Sequence, residues 1–482
     1  MLFNTSSFAL FLPIVFLLYW FVTNKSLKIQ NILLLVASYF FYSCWDWRFL
    51  FLLIFSTFLD YYTGLKISDS SDKTIKKRWF WLSIIVNLGF LGVFKYYNFF
   101  ATSFAEVISG LGFKVDVWTL SVILPVGISF YTFHGVSYVI DIYKDRIKAE
   151  RDFIDYSVFV SFFPLLVAGP IERATHLLPQ LKVKRNFDKA KAILGLRQIL
   201  WGLFKKVVIA DNCAEYANTI FSDSASFSGS TLVFGVVFFT IQIYGDFSGY
   251  TDIAIGTARL FGIDLLRNFA FPYFSRDIAE FWRRWHISLS SWFRDYLYVP
   301  LGGSKGGLWL KIRNMFIIFL VSGFWHGANW TYIIWGLLNA LYMLPSILFS
   351  TNRNNIEIVA HGRILPTLKE FFHMLITFSL VVFAFIIFRA NSMTHAFEYI
   401  QGICSMSLFS VPEFYGKKMA LITTLFILIL IVVEWIDRES QFGLENKSLP
   451  KNKFLRWAFY YFLIGSILYF SGKEVQFIYF QF

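Results

Sequence analysis

Long apolar runs recur along the whole chain, and they restrict its fold more than any other feature. A helix needs about 20 mostly apolar residues to cross the hydrocarbon core of a bilayer. Inside that core every backbone polar group must be satisfied within the protein, which favours helices over open strands. The sequence therefore predicts an all-α polytopic membrane protein. About eleven candidate spans lie near residues 8–22, 30–43, 49–66, 79–97, 118–140, 192–210, 231–247, 329–349, 370–388, 419–436 and 454–470.

Composition agrees with this interpretation and excludes other protein classes. Hydrophobic residues make up 57% of the 482 positions, and 60 of these residues are Phe, which exceeds the usual content of a soluble domain. The net charge of +13 does not indicate nucleic-acid binding, because the basic residues sit in connections, where they set membrane topology. Cys44, Cys213 and Cys404 lack CxxC spacing, so neither a disulfide framework nor a thiolate metal site is predicted.

Charges in the connections predict the orientation. The stretches 66–78 and 173–191 are rich in Lys and Arg and are expected on the cytoplasmic side. The stretch 211–230 contains three acidic residues and no basic ones, so it is expected outside. These three side assignments are consistent with one another only if the apolar segment 154–169 does not span the membrane. Pro164 and the break at residues 168–170 favour a re-entrant or interfacial segment there.

The longest connection in the second half, about residues 264–313, combines many Arg and Lys residues with Trp, Tyr and Phe. This mixture predicts short amphipathic helices at the cytoplasmic interface. The N-terminus has no basic region or small-residue cleavage site and is predicted to be a retained first helix. With no repeat or low-complexity segment, residues 1–482 are predicted to form a single membrane domain.

His326 is the first candidate for chemistry. It follows the apolar run 315–323, and a histidine within a membrane protein usually lines a cavity, because burying it against lipid is costly. Its ordinary pKa near neutrality suits a general base. A helix over residues 313–325 would be about 20 Å long, which places His326 near or beyond the middle of the bilayer. Gly323 and Gly327 permit close backbone approach. A purely structural histidine is the alternative.

His286 is the second candidate, and it lies among basic residues. Arg283, Arg284 and Arg294 offer planar guanidinium forks that suit phosphate or pyrophosphate. The glycine-rich stretch 301–307 adds backbone N–H groups but does not match the Walker pattern. Plain topology determinants and a flexible turn remain the alternatives for these features. His134 is interpreted as structural, and no group of residues has the spacing of a closed zinc site.

The chain resembles the membrane-bound O-acyltransferases (MBOAT), and within them the bacterial branch typified by the membrane subunit of alginate O-acetylation. The resemblance extends over almost the whole sequence. Phe324 and Ser304 are small departures from the expected pattern. The matching motifs lie at residues 1–5, 38–46, 124–130, 168–171, 202–211, 244–250, 281–303, 323–330 and 477–482.

The resemblance implies a ring-like helical bundle with a thinned centre and a tunnel for the acyl donor. It implies that His326 and His286 are the catalytic pair, in a multi-pass protein of the bacterial inner membrane. The donor would be cytoplasmic acetyl-CoA, with no metal or prosthetic group. The acceptor would be an extracytoplasmic hydroxyl, on a separate SGNH-type acetyltransferase or on an envelope polysaccharide such as an alginate-like exopolysaccharide or peptidoglycan. The donor-binding residues implied are Arg283, Arg284, Arg294, Trp285, Tyr298, Gly302 and Gly303.

Three other functions stay open at this point. D-alanyl transfer to teichoic acid would use the same scaffold. A transporter for a solute or lipid-linked sugar would predict paired intramembrane carboxylates or inverted repeats, and the sequence shows neither. A non-catalytic scaffold is disfavoured by His326 and His286. The aromatic C-terminus, residues 477–482, suits either partner docking or an interfacial anchor.

Overall fold

The structure is a computed structural model, and it describes residues 1–113, 118–120, 124–167, 169–472 and 477–478. Every regular element in these ranges is helical, as the apolar runs predict. Clustering of contacts divides the chain into two compact units. The first unit comprises Met1–Ile193 and Thr257–Leu266, and the second comprises Leu194–Gly256 and Arg267–Phe482.

The first unit contains eight α-helices. Two π-helical turns, Leu18–Val22 and Gly92–Tyr96, continue the first and fourth of them. The helices are α1 (Ser6–Leu17), α2 (Leu27–Asp46), α3 (Arg48–Asp69), α4 (Lys73–Leu91), α5 (Tyr97–Gly110), α6 (Ile128–Tyr143), α7 (Phe153–Ser161) and α8 (Ala174–Leu181).

The remaining helices lie wholly or largely in the second unit. The unit boundaries fall within α9 and α11. Short pieces are the π-helical turns Phe204–Ala210 and Arg294–Tyr298 and the 3₁₀ turns Ser224–Ser226, Pro272–Phe274 and Met406–Phe409. The helices are α9 (Lys189–Leu203), α10 (Asp211–Ser222), α11 (Gly229–Leu260), α12 (Ile278–Arg284), α13 (Ile287–Phe293), α14 (Leu308–His326), α15 (Trp330–Leu348), α16 (Leu368–Arg389), α17 (Met393–Ile403), α18 (Lys417–Ile436) and α19 (Lys453–Phe470).

Eight helical segments among the described residues are long and apolar enough to cross a membrane. One of them, Lys73–Gly110, is 38 residues long and joins α4 and α5 into one helix. The segment 154–169 forms only the nine-residue α7 before the chain turns, which is too short to span the core. Residue 168, part of the predicted break, lies outside the described residues.

One predicted helix is longer than expected. The helix that ends at His326 begins at Leu308, before Arg313, and has 19 residues. At 1.5 Å per residue this is about 28 Å, close to the thickness of a hydrocarbon core. Lys311 and Arg313 do not stop the helix, because long basic side chains at a helix end extend their charged groups away from the apolar layer. The expected short helix of about 20 Å was therefore wrong.

A buried carboxylate holds three helices of the first unit together. Asp60 of α3 accepts hydrogen bonds from Ser83 and Asn87 of α4, each at 2.7 Å. Gly135 of α6 faces the same carboxylate, and a Cβ atom there would lie 1.8 Å from Oδ2 of Asp60. The absent side chain lets α6 approach the carboxylate closely, while its Oδ1 atom accepts both hydrogen bonds from α4.

Two consecutive lysines in the second unit carry buried charge between helices. Lys205 pairs with Asp252 of α11 at 2.5 Å and lies 3.9 Å from Glu434 of α18. Lys206 pairs with Asp211 at 2.8 Å and with Asp246 at 2.7 Å. Buried carboxylates therefore lie within two candidate spans, α11 and α18, where the sequence analysis identified none. Asp211, expected in an outer loop, is a buried partner. Apart from the pair of Lys206 with Asp211, these pairings join residues distant in sequence, so spacing does not reveal them.

Candidate active site

His326 is the last residue of α14, and its side chain is buried among aromatic rings of neighbouring helices. Its imidazole meets the ring of Trp335 in α15 edge-on at 5.2 Å and that of Phe388 in α16 at 5.4 Å. The chain leaves the helix at Gly327 in an extended conformation. The histidine therefore lies at a helix end, buried among aromatic rings.

Glycines set the position of that helix end by letting α14 and α15 touch. A Cβ atom on Gly323 would lie 2.3 Å from the carbonyl oxygen of Tyr332, and one on Gly336 would lie 2.3 Å from that of Phe319. A Cβ on Gly327 would lie 2.2 Å from the ring of Tyr332. Small residues at a helix contact allow such close backbone approach in membranes. The close approach expected at Gly323 and Gly327 is present.

His286 lies in a tight turn between α12 and α13. Its backbone is left-handed, with φ 44°, a conformation that costs energy in a residue other than glycine and often marks a functional position. Asn268 holds this turn. Its carbonyl accepts the N–H of Ile287 at 2.9 Å, and its side-chain oxygen accepts the hydroxyl of Ser288 at 2.5 Å.

A continuous series of aromatic ring contacts, called here the aromatic wall, runs from the ring beside His286 to the ring beside His326. His286 packs edge-on against Phe247 at 4.7 Å, and His326 packs against Phe388. Ring contacts of 4.9 to 6.0 Å connect these two phenylalanines through Phe269, Trp285 and Phe385. Burial lowers the pKa of His286 well below its ordinary value, and a positive charge on His326 lowers it further. The two imidazoles are thus within electrostatic range, and burial favours the neutral form of His286.

Arg283 and Arg284, predicted to bind the donor's phosphates, are engaged within the protein. Arg283 donates to the carbonyl oxygens of Asn352 and Asn355 at 2.7 and 2.8 Å. Arg284 donates to Glu280 at 2.8 Å and to the carbonyl oxygen of Ala270 at 3.1 Å. This geometry favours a structural role for both arginines, because guanidinium groups bonded in this way stabilise the turns around them.

The other predicted donor residues have different surroundings. Arg294 has 65% of its side chain exposed and contacts Asp295 at 2.8 Å. Trp285 is buried and stacks on Phe281. The hydroxyl of Tyr298 lies 3.0 Å from that of Ser304. The N–H groups of Gly302 and Gly303 donate to carbonyl oxygens of the turn that contains them, at 3.1 and 2.8 Å. Arg283 and Arg294 are both exposed, but the guanidinium of Arg283 is occupied by two backbone carbonyl oxygens. Arg294 is therefore the better placed of the two to meet a large anion.

The C-terminal motif reaches the same unit. Phe477 packs on Tyr250 at 4.7 Å, and the N–H of Ile478 donates to Asp246 at 2.7 Å. Both residues are almost completely buried, so this part of the motif is an internal contact and not a free docking surface. Residues 479–482 lie outside the described residues.

Comparison with known proteins identifies the family. Residues 143–388 match MBOAT, the membrane-bound O-acyltransferase family. The sequence is 40% identical over 415 residues to a probable alginate O-acetylase of Pseudomonas aeruginosa, with 86% of this chain and 76% of the relative covered. The chain belongs to the membrane-bound O-acyltransferase family.

Two further MBOAT relatives differ in what they modify. A peptidoglycan O-acetyltransferase of Helicobacter pylori is 34% identical across 100% of this chain and 98% of its own length. A teichoic acid D-alanyltransferase of Bacillus subtilis is 29% identical across 56% of this chain and 69% of its own length. The resemblance predicted from the motifs is confirmed. The protein is a multi-pass membrane enzyme, an MBOAT-family O-acyltransferase.

Sequence reasoning missed two parts of this candidate site. Asn268 lies in the predicted interfacial region but was not identified, because its role depends on a contact with residues 287–288. Gly336 was missed because its importance depends on the approach of α14. A signal was available for the glycine, since a small residue within an apolar helix indicates close helix packing. His134, interpreted as structural, accepts the N–H of Glu172 at 3.1 Å in the first unit.

Proposed function

We propose that the protein transfers an acetyl group from cytoplasmic acetyl-CoA to an extracytoplasmic hydroxyl group, with His326 and His286 as catalytic residues. The observation that supports this most strongly is the burial of both histidines along one aromatic wall, with His326 at the end of a helix that is long enough to cross the bilayer. The stronger similarity to acetylating relatives than to the D-alanylating one supports acetyl as the acyl group.

In the proposed reaction, His326 accepts the proton of the acceptor hydroxyl as its oxygen attacks the thioester carbonyl carbon. The tetrahedral intermediate then loses the thiolate of CoA, and the imidazolium of His326 returns the proton to that sulfur. General-base assistance of this kind contributes about 10²- to 10⁴-fold in rate. Neutral His286 donates an N–H to the carbonyl oxygen as negative charge develops there, without placing a second cation beside protonated His326.

Donor binding is assigned to the predicted interfacial region. Arg294 is proposed to meet the phosphates of acetyl-CoA at the cytoplasmic entrance, and Tyr298 with the turn at Gly302 and Gly303 forms the adjoining surface. Arg283, Arg284 and Trp285 are proposed to hold that region in shape, since their hydrogen bonds and ring contacts are internal. No metal or prosthetic group takes part.

The cellular setting is also a proposal. The protein is placed in the bacterial inner membrane as one membrane domain with about eleven spans, and the family match supports this because it includes parts of both compact units. Helices of 17 residues at Ser6–Val22 and 18 residues at Lys453–Phe470 are further candidates beyond the eight spans. An SGNH-type partner outside the cell is proposed to pass acetyl to an envelope polysaccharide.

The test is the ester content of the cell envelope in a strain that carries His326→Ala. Mild base releases ester-linked acids, which are then identified in each glycan fraction. We expect acetate to disappear from one fraction while the variant accumulates in the membrane at the wild-type level. His373→Ala, at an exposed position on α16, is the matched control and should retain acetylation.

Other outcomes separate the alternatives. Loss of ester-linked D-alanine would assign the protein to teichoic acid modification. Normal acetate in every fraction of the His326→Ala strain would refute the proposed role of this histidine.

A further inference from the structure

The first unit contains an open cavity that the proposed reaction does not use. Its volume is about 310 Å³, within the range of small-molecule sites. It lies between the end of the first helix and the loop that precedes α9. The lining residues are Phe16, Trp20, Phe21, Asn24, Lys184, Arg185, Asn186 and Phe187.

The inner wall of this cavity is rigid. The π-helical turn after α1 presents Trp20, whose indole N–H donates to the carbonyl oxygen of Leu260 at 2.9 Å. The neighbouring hydroxyl of Tyr19 donates to the carbonyl oxygen of Phe261 at 3.1 Å. Phe187 packs edge-on against Trp20 at 5.5 Å. These contacts fix the aromatic wall before any ligand arrives.

The cavity contains a buried cation. Arg185 is only 8% exposed, and its Nη2 atom donates to Asn31. Its Nε and Nη1 atoms have no hydrogen-bond partner within the described part of the chain. Its guanidinium carbon lies 5.6 Å from the centre of the Tyr19 ring. A buried guanidinium with unused donors is costly unless an acceptor completes it.

Further donors surround this arginine at the mouth of the cavity. Lys184, Asn24 and Asn186 are exposed lining residues, and no lining residue among those described is acidic. An ammonium, a guanidinium and two amides converge on one opening. This set of donors matches the oxygens of a phosphate group.

The outer rim of the same cavity is apolar and exposed. Phe21 is 73% exposed and Phe187 is 52% exposed. Phe187 lies within the basic stretch 173–191 and Phe21 lines the same cavity. The charge distribution predicts that stretch on the cytoplasmic side of the membrane. A small soluble anion would leave these phenylalanine rings exposed to water. The glycerol and acyl chains of a lipid would instead cover them.

We propose that this cavity binds the phosphate group of an anionic membrane lipid. The headgroup phosphate lies against Arg185 and Lys184, with the amides of Asn24 and Asn186 as additional donors. The acyl chains extend along Phe16 and Phe21 into the bilayer. The bound lipid ties the first helix to the loop before α9, so it stabilises the first unit.

The test measures thermal unfolding of the full-length protein in neutral detergent, titrated with phosphatidylglycerol or phosphatidylcholine. We expect phosphatidylglycerol to raise the unfolding midpoint in a saturable way and phosphatidylcholine to leave it unchanged. Lys184→Glu should raise the phosphatidylglycerol concentration for half-maximal effect at least about fivefold, because each basic residue adds to the attraction. The readout does not depend on acyl transfer, so it is independent of the proposed function.

Lys189→Glu is the matched control, since Lys189 is exposed at the start of α9 and carries the same charge change outside the cavity. Equal effects of the two substitutions would show only a general surface potential and would overturn the proposed site. An equal response to phosphatidylcholine would overturn the requirement for an anion. Inorganic phosphate or glycerol phosphate that reproduces the shift would show that the ligand is a soluble anion and not a lipid.

Discussion

At the scale of single residues, three arginines around His286 differ in what they are free to bind. Arg284 is buried and donates to Glu280 and Ala270, and Arg283 donates to two carbonyl oxygens. Arg294 extends into solvent beside Asp295. Two of these arginines therefore bind groups of the protein itself, and Arg294 has an exposed guanidinium that pairs with the side chain of Asp295.

Substitution of these arginines by glutamine separates the two roles. Arg294→Gln should raise the apparent KM for acetyl-CoA about tenfold with little change in kcat, since one charge-assisted contact contributes about 1.5 kcal/mol. Arg284→Gln should instead lower the unfolding midpoint in detergent, because Glu280 loses one of its two arginine partners. Steady-state kinetics and thermal unfolding of both variants check this. An unchanged KM for Arg294→Gln would remove it from the donor site.

Residue identities could be predicted at this scale, but their partners could not. His326, His286 and the arginines stand out because burying an ionisable group in an apolar chain costs free energy, so such residues are candidates for a functional role. Asn268 does not stand out, since an asparagine in a polar connection is ordinary. Its contacts join positions about twenty residues apart across a turn whose geometry the sequence does not specify.

At the scale of elements, the contact between α14 and α15 positions the proposed general base. The two helices approach through Gly323 and Gly336, where backbone carbonyls of the partner helix occupy the place of a side chain. His326 follows Gly323 by one turn, so any shift of α14 along or away from α15 moves the imidazole relative to Trp335 and Phe388.

Gly323→Ala tests this arrangement. The added Cβ would lie 2.3 Å from the carbonyl oxygen of Tyr332, so the helices must separate, at a cost of about 1–3 kcal/mol. We expect a lower unfolding midpoint and at least a tenfold lower kcat. Gly465→Ala in α19 is the control, since nothing lies within 4 Å of its Cβ and alanine favours a helix by about 1 kcal/mol. Wild-type stability and activity for Gly323→Ala would show that the contact tolerates a methyl group.

The presence of a helix was easier to predict from the sequence than the residues at which it begins and ends. The apolar runs near 30–43, 49–66 and 370–388 became α2, α3 and α16 with ends within a few residues. The start of α14 was placed at residue 313, five residues after its true start at Leu308, because a helix end at an interface accepts basic residues such as Lys311 and Arg313. The apolar stretch 118–140 is described except at residues 121–123, and its helix begins at Ile128.

At the scale of the whole molecule, the positive charge serves two purposes. Many Lys and Arg residues lie in connections or near helix ends, in keeping with a role in topology. Lys205 and Lys206 are exceptions, because they are buried and paired with carboxylates of α10, α11 and α18. Their partners lie up to about 230 positions away in sequence, which is why composition and spacing did not reveal the network. Buried pairs of this kind contribute little net stability but make misplacement of a helix costly.

Lys206 therefore offers a test of how the second unit is held together. Lys206→Met leaves Asp211 and Asp246 buried without their shared cation, and removal of one partner from a buried pair costs about 3–5 kcal/mol. Asp246→Asn should cost much less, because Lys206 keeps Asp211 and the asparagine oxygen still accepts the N–H of Ile478. Chemical denaturation in detergent micelles measures both changes. Lys189→Met, at an exposed position, should stay within about 0.5 kcal/mol of wild type.

The double variant decides whether the effect is electrostatic. If Lys206 stabilises the fold by compensating the two carboxylates, Lys206→Met must lower the free energy of unfolding by less in the Asp246→Asn background. In that background Lys206→Met leaves only one carboxylate, that of Asp211, without its lysine. Its aliphatic stem packs equally in both backgrounds, so lost packing alone predicts equal costs. A coupling energy of at least about 1 kcal/mol between the two substitutions would show that charge compensation joins α10, α11 and the π-helical turn that carries Lys206. Additive effects would mean that packing of the stem alone holds these elements together.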